Sequence, residues 1–148
     1  MDKDRLLKPT EMSGFRLELW ALSAPEGEEK VVDMCLELKA REIQTKHTKA
    51  MDYAERALLA GMKGDERKAR ALYGTAFGLE REAAKMTWTG YEPTRSVLYR
   101  SAASLALQCD LMAEARELIG KAIVGNPPPE IAAELYELLD LVEMRSAE

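Results

Sequence analysis

The strongest constraint on this chain is a register of small side chains that occurs twice. The stretch YAERALLAGMKGDERKARALYGTAF, from Tyr53 to Phe77, can be laid over YRSAASLALQCDLMAEARELIGKAI, from Tyr99 to Ile123. Each opens on a tyrosine with an alanine four residues on, Ala57 in one and Ala103 in the other. Beyond a turn come Ala69 and Ala115, then a larger side chain (Tyr73, Ile119), then Ala76 and Ala122. In an antiparallel helix pair, small residues let the backbones approach while large ones fill the adjacent gaps. The pattern therefore predicts two nested helical hairpins. Cys109-Asp110, set against Lys63-Gly64-Asp65, reads as a second turn one residue shorter than the first.

Punctuation divides the rest of the chain. Residues 1–12 mix charges with a proline and are expected to be a flexible leader, followed by a single helical domain over residues 13–148. Within it, residues 13–49 form an N-terminal segment and helix, 50–128 the two hairpins, and 129–148 an acidic capping helix. The stretch FRLELWAL (residues 15–22) fits a short N-terminal strand by its alternation and a helix by the spacing of Phe15, Leu19 and Leu22. Ser23 can cap a helix whose first turn carries Glu26, Glu28 and Glu29. No breaker lies between Lys30 and Ala60, which predicts one long N-terminal helix with a bend near Gln44 to Thr48, closing at Gly61 or Gly64. Asp65 caps the next helix, which runs to about Met86. TWTGYEP is a linker, and further helices span about Thr94–Gln108, Met112–Val124 and Pro129–Met144. Ile131, Leu135, Leu138 and Val142 share one face of the last.

Bulk composition removes several function classes. Net charge is −5, and residues 129–148 alone hold six acids and one base. No basic run suits general nucleic-acid binding or an anionic membrane surface. No apolar run reaches the roughly 18 residues of a membrane span, so a cytoplasmic protein is expected. Cys35 and Cys109 have no metal-ligand spacing and read as buried thiols of a reducing compartment. There is no GxGxxG, no phosphate-binding GxxxxGK, no nucleophile elbow and no HExxH, so neither cofactor, catalysis nor metal is expected. The acid pairs Glu28/Glu29 and Glu80/Glu82 read as surface charges on helices.

Gly64-Asp65 with Ala69, Tyr73 and Ala76, and Ala115, Ile119 and Ala122 with Pro127, resemble the turn and second helix of the tetratricopeptide repeat (TPR) family. The resemblance covers roughly residues 50–142. It departs from the family in having tyrosine for the first-helix tryptophan and a 46-residue spacing, from Ala69 to Ala115, against a family period of about 34. It implies an all-α fold of antiparallel helical hairpins stacked TPR-like, with a long N-terminal helix and a C-terminal capping helix whose outer face is polar. It also implies a non-catalytic interaction or scaffolding module for a peptide or protein partner. Ligand contacts would come from the inner faces of the first helices: Met51, Ala54, Leu58 and Met62, and Val97, Arg100, Ser104 and Gln108. Two hairpins bury too little surface alone, so either the helix over residues 26–49 covers the exposed end of the first, or the chain forms a homodimer.

One alternative involves the only histidine. Arg41 and His47 have an Arg-x5-His spacing that resembles the ribonuclease motif of HEPN domains, also all-helical. In that reading Arg41 stabilises phosphate charge and His47 moves a proton. The competing reading is a solvated face of a long helix.

Overall fold

The computed structural model describes residues 29–148, and among them every regular element is an α-helix. The expectations for the leader, for FRLELWAL and for the Ser23 cap with Glu26 and Glu28 lie outside the described residues. Five helices follow in order: α1 (Glu29–Met62), α2 (Glu66–Met86), α3 (Thr94–Gln108), α4 (Met112–Val124) and α5 (Pro129–Ser146). α1 pairs with α2 and α3 with α4; α2 packs on α3, and α5 lies against α4 and α3. No described helix is long and apolar enough to cross a membrane.

α1 is continuous through the residues where a bend was expected. Thr45 Oγ1 donates to the Arg41 carbonyl at 2.9 Å and Gln44 Nε2 to Thr48 Oγ1 at 3.3 Å, so the polar stretch satisfies itself along the helix. Buried Ile43 and Ala50 bracket it on the core side. This continuity overturns one expectation. Residues 29–49 continue the same helix as 50–62 and so do not fold back over the exposed end of the first hairpin. The stretch around Lys46 and His47 lies alongside α2 instead, through Lys46–Glu82 (3.0 Å) and His47–Glu80 (2.9 Å). At 34 residues against 21, α1 is about 50 Å long and projects past the end of α2.

The two hairpin turns are equal in length, so the reading of a missing residue is corrected. Gly64 and Asp110 both take positive φ, 82° and 57°. The Asp65 N–H donates to the Ala60 carbonyl at 2.9 Å, and the Leu111 N–H donates to the Ala106 carbonyl at 2.9 Å. That six-to-one bond over a left-handed residue is the Schellman closure of a helix. Asp110 replaces glycine because a short polar side chain tolerates the left-handed region better than most. What differs is the next helix start. The Asp65 side chain accepts from the Lys68 N–H at 3.1 Å, whereas Leu111 offers no cap.

The small residues are buried as the register requires. Ala57, Ala76, Ala103, Ala115 and Ala122 are fully buried and Ala69 nearly so. Ile119 is buried beside them, and Tyr73 packs at the edge of the core. The longer spacing of the units is visible in α2, 21 residues against 13 for α4, and in the loop over 87–93. In that loop Trp88 and Tyr91 stack with centroids 4.2 Å apart. The Glu92 carboxylate accepts from the Ser96 hydroxyl (2.6 Å) and the Ser96 N–H (3.2 Å), capping α3 from outside the helix.

α5 buries Leu135 and Val142 completely, with Ile131 and Leu138 packed at the margin. It is pinned by Arg100 to Glu134, by Arg116 to Glu143 at 2.9 Å, and by Arg145 to the Leu107 carbonyl at 3.2 Å. Its outer face is mixed, with Glu130, Glu137 and Asp140 exposed alongside Tyr136, Leu141 and Met144. Cys35 and Cys109 are free thiols, half-buried rather than buried, and burial pushes the Cys109 thiol up.

Candidate protein-interaction surface

The eight inner-face positions fall on α1 and α3, the two helices that flank α2. Met51 and Ala54 are half-buried against the core cluster. Val97 is half-buried, and Arg100 is held by Glu134 of α5. Leu58, Met62, Ser104 and Gln108 are exposed. The apolar exposure thus concentrates at the C-terminal end of α1.

That end carries a feature the sequence reading missed. Arg56, Leu59, Ala60, Lys63, Asp65 and Lys68 line an open cleft of about 420 Å³ where α1 turns into α2. Leu58 is 56% exposed, Leu59 48% and Met62 77%, so the cleft is flanked by apolar side chains facing solvent. Residues 56–70 hold five bases and two acids, and the Asp65 carboxylate is engaged in capping α2. Lys63 and Lys68 make no ion pair among the described residues, and Arg56 holds Asp52 only loosely, at 3.7 Å on the surface. A local signal existed: the run KGDERKAR directly after LLAGM sets cations beside apolar residues at a helix turn. The same run also reads as a hairpin turn, which accounts for its glycine and aspartate without a surface role.

His47 and Glu80 form the other polar constellation. His47 Nδ1 lies 2.9 and 3.0 Å from the two Glu80 oxygens, so the ring is not simply part of a solvated face. Glu80 is completely buried, which corrects its reading as a surface charge. Burial pushes its carboxyl above the ordinary carboxylate range, while the Ser101 hydroxyl and His47 pull the other way. The group stands where α1, α2 and α3 converge and ties them together. Arg41 is exposed; six residues of helix separate it from His47 by about 9 Å along the axis and about 120° around it. That placement lends no support to paired action on a phosphate.

Among the described residues no group of three or more His, Cys, Asp or Glu side chains is placed to hold a metal ion. Compared with known families, curated proteins and solved structures, the chain matches none.

Proposed function

We propose that this chain is a non-catalytic, cytoplasmic protein-interaction module built from tetratricopeptide-like hairpins, which binds a peptide or protein partner. The observation that carries the reading is the exposure of Leu58, Leu59 and Met62 beside a cationic cleft at the tip of a well-packed hairpin. Monomeric proteins rarely leave clustered large apolar side chains in water unless something docks there. The repeated turn closure and the nested alanines support the kinship with tetratricopeptide hairpins. Such hairpins present rigid helix faces, and methionine-bearing surfaces adapt to varied apolar partners.

The test is selection of peptides from a random display library on the purified protein. Selected peptides should combine acidic and apolar residues. Their affinity should fall about tenfold or more in a Leu59→Glu, Met62→Glu variant, which confronts them with buried or repelled charge. No enrichment over an unrelated helical protein, or binding indifferent to both substitutions, would remove the reading.

A further inference from the structure

We propose that the cleft at the α1–α2 turn receives the outer face of α5 from a second copy of this chain. The inference rests on the interaction-module reading and names its occupant.

Two exposed surfaces of opposite charge occur among the described residues. Around the cleft, five bases outnumber two acids over residues 56–70; along α5 and its tail, six acids outnumber one base over 129–148. Their ion pairs are distributed in a telling way. Glu134 and Glu143 are turned inward onto Arg100 and Arg116, fixing α5 to its own hairpin. Glu130, Glu137 and Asp140 remain exposed and make no ion pair among the described residues. On the other side Lys63 and Lys68 are exposed and make no ion pair among the described residues.

The apolar complement matches. At helical spacing Glu137, Asp140 and Met144 share the outward face of α5, opposite buried Leu135 and Val142, with Tyr136 and Leu141 at its flanks. Tyr136 is 54% exposed and Met144 68%. A helix face of this kind, acidic along its centre with apolar flanks, is what a cationic cleft flanked by apolar side chains accepts. Complementary charge around an apolar contact sets the register and speeds encounter, and like charge there prevents docking. Because the two surfaces are different, the contact is heterologous. It closes into a dimer if each copy gives its α5 to the other, and otherwise propagates as a ring or a string.

Sedimentation velocity of the full chain tests this without any partner. Wild type should self-associate, and association should weaken about tenfold or more between about 0.05 and about 0.5 M salt. The variants K63E/K68E and E137K/D140K should each be monomeric, with unchanged helical circular dichroism because all four residues are on the surface. Mixed in equal amounts, the two variants should associate again, since each reversed cleft now faces a reversed α5. A monomeric wild type overturns the proposal, and so does association that survives both salt and charge reversal. A monomeric wild type that still selects peptides at the cleft overturns this inference alone and leaves the interaction module standing.

Discussion

At the scale of single residues, Glu80 and His47 concentrate the most consequence. A carboxyl whose ionisation is shifted upward in the folded protein favours the folded state while it is protonated. That contribution is complete below the ordinary carboxylate value of 4.5 and is lost as pH rises from there through the folded value. Glu80→Gln keeps the shape and removes the titration. Its stability relative to wild type should therefore increase as pH climbs through that window, as read by denaturant midpoints at a series of pH values. A difference that stays flat with pH would place Glu80 in water. His47→Ala leaves a buried acceptor without its partner and should cost about 1–3 kcal/mol in the same measurement. Neither residue was legible as a pair in the sequence. They lie 33 positions apart and carry no motif, and only the pairing of α1 with α2 brings them together. A charged residue in Glu80-Arg81-Glu82 reads as surface because burial of a carboxylate depends on partners from other elements.

At the scale of elements, the turns and caps make separable predictions. Gly64 stands at φ 82°, where a Cβ is strained, whereas Gly74 lies inside α2 with nothing within 4 Å of an added Cβ. Gly64→Ala should lower stability by about 1 kcal/mol and Gly74→Ala should raise it by about 0.5–1 kcal/mol. Opposite shifts of the thermal midpoint check the pair. Glu92→Ala removes the acceptor of both Ser96 donors and should cost about 1–2 kcal/mol, read as a lower melting temperature. Most helix boundaries were readable beforehand: Asp65, Gly90, Pro93 and the run Asn126 to Pro129 are local signals acting on a local backbone choice. The equivalence of Asp110 with Gly64 was not, because an aspartate in the left-handed region is permitted by its context rather than announced by its type. The capping of α3 by Glu92, from outside the helix, escaped for the same reason.

At the scale of the whole molecule, α5 completes the core over α3 and α4. Ending the chain at residue 128 uncovers the surfaces now met by Ile131, Leu135, Leu138 and Val142. At about 1.5–3 kcal/mol for each buried aliphatic side chain, that loss rivals the whole stability of a domain. The truncated chain should lose its cooperative thermal transition by circular dichroism; a sharp melt within a few degrees of wild type would show α5 to be dispensable. The helical class and the hairpin pairing were visible in advance because alanine register and turn residues are encoded along the chain. The cleft was not, since it forms only where Arg56 of α1, Lys63 of the turn and Lys68 of α2 meet at one corner.

The unbroken run of α1 has a mechanical corollary. A helix whose hydrogen bonds run without a break is one mechanical element, so a displacement at its first turn is carried along the axis toward its last. Whatever engages the neighbourhood of Glu29 is thereby geared to the corner where Lys63 stands, some fifty ångströms away along the axis.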